Sequence, residues 1–185
     1  MQHTGTDANF LYGEMSIIIM QKILFYLFLW IVSAPLKGTH FFKLKRFMLN
    51  CIGITVGLGT KVVGPFKVTS VANIEIGKDC WIGENFKVYG NGEVKIGDRN
   101  DFGPEVTFLT GSHEIGSPKR RAGKGISEKF NVGDGNWIGA HCVFIKGMTV
   151  EDGTVIGTKS LINSDCKSNA LYAGSPIRKI RNLEA

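Results

Sequence analysis

A six-residue spacing runs through the last two thirds of the chain and constrains its fold more than any other feature. Aliphatic or aromatic residues recur six positions apart, and glycine often follows directly, at Val56-Gly57, Ile76-Gly77, Ile82-Gly83, Ile96-Gly97, Phe102-Gly103, Val132-Gly133, Ile138-Gly139 and Ile156-Gly157. A period of six matches neither the turn of an α-helix nor the two-residue alternation of a single strand. It predicts a mainly β fold, in which each coil contains three short strands and stacks on the coil before it.

The same spacing predicts how the coils align. In the early coils, equivalent positions lie 20 residues apart, as at Val56, Ile76 and Ile96. In the later coils, equivalent positions lie 18 residues apart, as at Val132, Val150 and Ser168. Since three hexapeptides make a regular coil, each early coil carries two inserted residues, which we expect at the turn-rich clusters 70–73 and 90–92.

Residues 114–131 interrupt the spacing. The segment Glu114–Phe130 contains Pro118, three glycines and five basic residues. We predict a protruding loop over 114–131, and a long loop that leaves a regular scaffold is more often functional than not.

The residues before the coils divide into a polar part and an apolar part. Residues 1–14 are polar and aperiodic, which predicts a disordered leader, or a true start at Met15 or Met20. Residues 17–34 are apolar, but their uncharged core, 23–32, is short beside the about 20 residues of a transmembrane helix. We favour a helix that covers one end of the coils. A helix in a membrane interface, a true span and a signal peptide are the alternatives.

The next segment mixes bulky apolar residues with basic ones. On a helix, one face would carry Phe41, Leu44, Phe47, Met48 and Cys51. We predict a helix packed on the first coil, with a basic amphipathic surface for anionic lipid as the alternative. The resulting boundaries are a helical segment at 15–52, a domain of coils at 53–173, and a tail at 174–185 that covers the other end.

Charge and cysteine content narrow the partners and the compartment. The net charge is +6, but no nucleic-acid-binding signature accompanies it. We therefore expect no nucleic-acid partner, and a basic rim for an anionic ligand or a membrane surface instead. Cys80, Cys142 and Cys166 fall at small-residue positions near the core, which predicts buried free thiols. We expect a reducing, cytoplasmic location, with peripheral contact at the inner face of the cytoplasmic membrane as an option.

Two histidines fall in the coils and could carry chemistry. His113 lies where segment 114–131 begins, and its imidazole could accept a proton near neutral pH. His141 follows Ile138-Gly139-Ala140, and we favour an outward-facing structural residue over a second site residue. No CxxC pair is present, and two coil histidines 28 residues apart are too few for a zinc site, so we expect no metal.

From about residue 53 to its end, the chain resembles the hexapeptide-repeat acyltransferases, and in particular the maltose, galactoside and polysaccharide O-acetyltransferases. The resemblance rests on an ordered set of motifs: Ile96-Gly97-Asp98, Thr110-Gly111-Ser112-His113 with the segment after it, Gly135-Asn136-Trp137-Ile138-Gly139, and Ala173-Gly174-Ser175-Pro176-Ile177-Arg178-Lys179-Ile180-Arg181. It implies a left-handed parallel β-helix and a homotrimer with active sites between neighbouring copies.

The resemblance also implies acetyl-CoA as co-substrate and a sugar or glycan hydroxyl as acceptor. His113 would be the general base, and the backbone N–H of Ala140 would bind the oxyanion. By the same resemblance, the residues that would bind the acceptor are Asn85, Glu114 and Trp137. CoA-binding residues are Gly139, Ala140, Thr158, Lys159, Asn163, Ser164, Arg178 and Arg181.

This chain departs from the sugar acetyltransferases at one acceptor position, where Gly83 replaces an asparagine and Asn85 lies two residues on. The alternatives therefore include a non-sugar acceptor such as an antibiotic, and a β-solenoid that serves as a non-catalytic scaffold.

Overall fold

The structure, a computed structural model, describes residues 5–69 and 72–184. It is a parallel β-solenoid of about six turns, preceded by two helices, α1 (Gly5–Ser33) and α2 (Phe42–Cys51). The hexapeptide-repeat β-helix predicted from the sequence is confirmed.

Three parallel sheets form the sides of the solenoid. Sheet A contains β1 (Thr55–Val56), β4 (Asn73–Ile76), β7 (Glu93–Ile96), β12 (Lys129–Val132) and β15 (Thr149–Val150). Sheet B contains β2 (Lys61–Val62), β5 (Trp81–Ile82), β8 (Asp101–Phe102), β13 (Trp137–Ile138), β16 (Val155–Ile156), β18 (Ala170–Ala173) and β19 (Arg178–Asn182). Sheet C contains β3 (Phe66–Val68), β6 (Phe86–Tyr89), β9 (Thr107–Leu109), β14 (Val143–Phe144) and β17 (Leu161–Ile162).

The register of sheet A confirms the predicted spacing. Val56 pairs with Ile76 and Ile76 with Ile96, so both early coils advance by 20 residues. The last coil differs from the prediction, because Val150 pairs with Cys166 and not with Ser168. Cys166 is buried and Ser168 is exposed. This coil is two residues shorter, and that shift places an apolar thiol in the core in place of a hydroxyl.

Phenylalanine rings fill the core between the sheets. Phe66 stacks on Phe86 with 5.4 Å between ring centroids, and Phe108 stacks on Phe144 at 4.2 Å. All four rings are buried, and such contacts add to the free energy gained from burial alone. Neighbouring coils are therefore joined by side-chain packing as well as by backbone hydrogen bonds.

Buried polar side chains fix the corner between sheets A and B. The Asn136 N–H donates to Asn100 Oδ1 at 2.9 Å, and the Thr154 N–H donates to Asn136 Oδ1 at 2.7 Å. Cys80 lies in the same column, where its thiol is buried and burial raises its pKa. Burial likewise raises the pKa of Cys166 to about 12, so these thiols act as small core side chains.

Segment 114–131 protrudes as predicted, but it is a β-hairpin and not an irregular loop. Strands β10 (Gly111–Ile115) and β11 (Ala122–Ser127) pair antiparallel, with an irregularity between His113 and Ile115. The last residues of the segment already belong to β12. The glycines and basic residues that suggested a loop lie in β11 and at the tip.

Helices α1 and α2 pack over the first coil, α1 on β3 and α2 on β1 and β2. Residues 5–14 belong to α1, which differs from the predicted disordered leader, because a helix that has formed over the apolar residues after them can be extended at little cost. Residues 1–4 lie outside the described residues. None of the helices within 5–69 and 72–184 has the length and apolar character needed to cross a bilayer.

The buried face of α2 is not the predicted one. Lys45, Met48 and Leu49 are buried, while Leu44 and Phe47 are exposed. The reason is that first-coil carbonyl oxygens have no preceding coil to bond, so they need other donors.

The two helices and the segment joining them supply those donors. Lys45 Nζ donates to the carbonyl of Val63 at 2.9 Å and to that of Gly38 at 2.7 Å. Ser33 Oγ donates to the carbonyl of Phe66 at 2.8 Å. Lys45 is therefore buried against the first coil, and two apolar side chains of α2, Leu44 and Phe47, are exposed.

We expect the stability of the wild-type protein relative to Lys45→Met to rise between pH 8 and pH 10.5. Burial lowers the pKa of Lys45 from 10.5 to about 8, so in this window the unfolded chain binds a proton that the folded chain does not. Raising the pH therefore favours the folded state. The measurement is the melting temperature of both proteins across this range.

The matched control is Lys43→Met, an exposed lysine on the same helix. The difference in melting temperature between this variant and the wild type should not change with pH. If the corresponding difference for Lys45→Met were also independent of pH, it would contradict the burial of a titrating lysine.

Candidate active site

His113 lies on the hairpin, whose base is fixed by a buried threonine. Thr110 Oγ1 donates to the carbonyl of Tyr89 at 3.0 Å and accepts the Gly92 N–H at 3.0 Å. A Cβ added at Gly92 would lie 2.0 Å from the carbonyl oxygen of Glu128. The two-residue insertion at 90–92 thus gives room for the hairpin to leave the corner between sheets C and A.

The hairpin presents His113 on an open face. Its cross-strand partner is Gly125, and Gly111 lies two residues before it on the same face. A Cβ added at Gly125 would meet nothing within 4 Å. The His113 imidazole is exposed and has space beside it for a ligand.

Glu114 is also exposed, and it lies at the irregularity of β10, where it has no cross-strand partner in the register. Its assignment as an acceptor-binding residue stays a prediction.

A second group of predicted residues lies at the corner between sheets B and C. Neither the Ala140 N–H nor the Thr158 N–H donates a hydrogen bond to any described residue. The two positions are equivalent in successive coils, since Ile138 pairs with Ile156. In the preceding coil the equivalent residue is Pro104, which has no N–H. The corner thus offers backbone donors that the solenoid itself does not use.

Close backbone packing leaves no room for a side chain at Gly139, beside these N–H groups. A Cβ added at Gly139 would lie 2.6 Å from the backbone nitrogen of Thr158. Gly139 is itself buried and donates its N–H to the carbonyl of Ile156 at 2.8 Å. Trp137, two residues earlier on sheet B, is 62% exposed and forms a flat apolar wall beside the corner.

The other predicted CoA-binding residues are spread over three places. Lys159 follows Thr158 at the same corner and is exposed. Arg178 and Arg181 lie on β19, the strand that ends sheet B, and both are exposed. Asn163 and Ser164 follow β17, at the corner between sheets C and A that also carries the hairpin.

Asn85 is engaged in a polar cluster at the corner between sheets B and C. Its side-chain amide donates to Glu105 Oε1 at 2.8 Å, and Lys87 pairs with the other oxygen of that carboxylate. The Lys87 hydrogen bond is the main reason that the pKa of Glu105 is lowered. Since its amide already has a partner, Asn85 would have to give up that bond to bind an acceptor directly.

A cavity at the hairpin base contains residues that sequence reasoning missed. It has a volume of about 470 Å³, and its wall includes Asn91, Ser127 and Glu128 on the hairpin side and Phe25 of α1. Ser127 Oγ donates to Asn91 Oδ1 at 2.8 Å, and Ser127 shares a hairpin face with His113. The insertion at 90–92 was the only signal in the sequence that pointed here.

Within one chain, His113 and the Ala140 N–H are far apart. They belong to different corners, which are separated by the whole width of sheet C. Val106 to Thr110, the part of the chain that crosses sheet C around β9, spans roughly 13 Å at about 3.3 Å per residue, and His113 lies three residues further along the hairpin. A general base and an oxyanion donor must both act within about 3 Å of one reacting group. One chain alone does not bring them together.

No group of three histidine, cysteine or acidic side chains in the described residues is arranged to hold a metal ion. The expectation of a metal-free reaction stays a prediction. The described residues offer the chemistry of an imidazole and of unpaired backbone N–H groups.

Comparisons with known proteins identify relatives that share this fold. No protein-family model matches the chain. The galactoside O-acetyltransferase of Escherichia coli K12 is 33% identical over 129 residues, which make up 70% of this chain and 64% of that protein. The chain therefore spans slightly less than two thirds of that relative's length.

A second relative is the putative colanic acid biosynthesis acetyltransferase WcaF of Escherichia coli K12, 24% identical over 155 residues, with 82% of this chain and 84% of that protein covered. Among solved structures, a galactoside acetyltransferase in complex with coenzyme A superposes with a TM-score of 0.74 at 28% identity, covering 90% of this chain and 80% of that one. In repeat, fold and sequence the chain is therefore similar to the hexapeptide-repeat acetyltransferases, and among them to galactoside O-acetyltransferase.

Proposed function

We propose that this protein transfers an acetyl group from acetyl-CoA to a hydroxyl of a sugar or a polysaccharide intermediate. The observation that carries the proposal is the pair of unpaired N–H groups at Ala140 and Thr158, together with an open histidine on the hairpin. The relatives support acetyl-CoA as donor, since the structure of one galactoside acetyltransferase contains coenzyme A. They support a sugar or polysaccharide acceptor, since two are named for galactoside acetylation or colanic acid biosynthesis.

In the proposed reaction, His113 takes the proton from the acceptor hydroxyl. The oxygen attacks the thioester carbonyl directly, and the carbonyl oxygen becomes negative in the tetrahedral intermediate. The Ala140 N–H donates to that oxyanion. When the carbon–sulfur bond breaks, the CoA thiolate leaves and the imidazolium returns the proton to it. Exposed Arg178 and Arg181 are suited to bind the phosphates of CoA.

We propose further that the site is assembled between copies in a homotrimer. The separation of the two corners by the width of sheet C, roughly 13 Å, prevents one chain from supplying both groups. Side-by-side packing of two solenoids would bring the hairpin corner of one copy against the other corner of its neighbour. Cyclic symmetry then gives one equivalent site per interface.

The acceptor would occupy the cavity at the hairpin base. Amide and carboxylate groups from Asn91, Glu93 and Glu128 line this cavity, and Phe25 forms an apolar part of its wall. Such a lining suits a sugar, which presents hydroxyls at its edges and apolar C–H groups on its faces. A comparison of sugars with hydroxyl-bearing antibiotics as acceptors distinguishes the two acceptor classes, and transfer to antibiotics alone would contradict a sugar acceptor.

We expect His113→Ala to lower kcat at least about 100-fold, because proton removal from the hydroxyl is lost. The KM for acetyl-CoA should change little, and the melting temperature should not fall, since the imidazole is exposed. The measurement is release of CoA with sugar acceptors, followed by chromatography.

The matched control is His40→Ala, an exposed histidine outside the solenoid, which should keep wild-type turnover. Unchanged turnover in His113→Ala would contradict its assignment as the base. A protein that neither releases CoA nor is stabilised by acetyl-CoA would indicate the scaffold alternative.

We expect Ala140→Pro to lower kcat by about 100-fold to 1000-fold, because it removes the oxyanion donor and nothing else. Proline is sterically acceptable here, since Pro104 occupies the equivalent position one coil earlier. The control is Pro104→Ala, which should keep activity. Retention of full kcat in a folded Ala140→Pro protein would show that another group binds the oxyanion.

A further inference from the structure

The outer surface of the N-terminal cap, formed by α1 and α2, is apolar over two helices. On α1, Met20, Ile23 and Trp30 are 63%, 64% and 60% exposed, at spacings that place them on one face. On α2, Phe47 is 63% exposed and Leu44 is 44% exposed. Large apolar side chains clustered on the exposed faces of a folded protein mark an interaction site.

From residue 15 onward, the charge of this region has one sign, while Asp7 and Glu14 lie earlier on α1. Residues 15–74 contain seven lysines and arginines and no aspartate or glutamate. Lys45 is buried, whereas Lys22, Lys37 and Lys43 are exposed. The exposed apolar side chains of the cap therefore lie on a segment with exposed cations and no carboxylate of its own.

A groove beside α2 collects three of these cations. Its volume is about 500 Å³, and its wall includes Lys43, Arg46 and Lys61 together with exposed Phe41. No carboxylate lines it. Three cations next to an exposed aromatic ring suit a phosphate group whose attached chain is apolar.

We propose that the cap docks on the surface of a bilayer that contains anionic phospholipid. The apolar faces of α1 and α2 enter the boundary between headgroups and acyl chains, and the surrounding cations bind lipid phosphates. A second copy of the same surface is a poorer partner, because two cationic surfaces facing each other repel. The proposal does not depend on acetyl transfer.

The cap lies at the N-terminal end of the solenoid, while the hairpin leaves a later coil. Docking through the outer face of the cap therefore leaves His113 and the Ala140 corner free. In a cyclic trimer with parallel solenoids, the three caps would lie at the same end, and simultaneous contact would strengthen binding.

The test is flotation of the full chain with vesicles. The wild-type protein should float with phosphatidylcholine vesicles that contain about one third phosphatidylglycerol, and less as salt is raised. It should float poorly with phosphatidylcholine alone. Phe47→Ser and Lys43→Glu should each lower the bound fraction at least about threefold.

Two substitutions of the same kind serve as matched controls. Ile180→Ser changes a residue that is 59% exposed at the opposite end of the solenoid. Lys146→Glu reverses an exposed charge on a distant coil. Both should bind vesicles like wild type, and melting temperatures confirm that all four variants are folded.

Failure of the wild-type protein to float, or equal binding to both vesicle types, would overturn the proposal. It would also be overturned if Phe47→Ser changed the oligomeric state in sedimentation and left flotation unchanged. That result would assign the surface to a second copy of the chain.

Discussion

Backbone hydrogen bonds join each coil of the solenoid to the next in both directions. The Val63 N–H donates to the carbonyl of Ile82 at 2.9 Å, and the Asp79 N–H donates back to the carbonyl of Leu58 at 2.9 Å. The first and last coils each have a neighbour on one side only, so the backbone groups on their outer edges need other partners. At the first end, Ser33 and Lys45 supply donors, which is why a lysine is buried there. At the last end, β19 pairs antiparallel with β18.

The candidate site uses the places where this ladder of hydrogen bonds is interrupted. At the corner between sheets B and C, the N–H groups of Ala140 and Thr158 lie outside the ladder and remain available to donate hydrogen bonds to a ligand. At the corner between sheets C and A, Thr110 fixes an antiparallel hairpin, and His113 projects from it. The regular coils hold the two corners apart by the width of a sheet. The proposed chemistry follows from bringing two copies together, with the base and the oxyanion donor on different chains.

The sequence was sufficient to predict the coils, because the period of six follows directly from three strands per coil, and the pairing of Val56, Ile76 and Ile96 confirms it. It was not sufficient for the last coil, where a deletion of two residues shifts the core position from Ser168 to Cys166. The face of α2 was predicted wrongly, since a helical pattern shows which side chains are apolar but not which carbonyls need a donor. Likewise, composition indicated a protrusion after His113, while its antiparallel pairing depends on contacts that periodicity does not encode.

Mixed oligomers test most directly whether the site is shared between copies. His113→Ala and Ala140→Pro chains, each with its own affinity tag, would be produced together, and oligomers that carry both tags would be isolated. Each variant alone should be nearly inactive. If neighbouring copies supply the two groups, each mixed trimer has both groups intact at one of its three interfaces, and activity should return to about a third of wild type. Mixed oligomers as inactive as the separate variants would contradict a site assembled between copies.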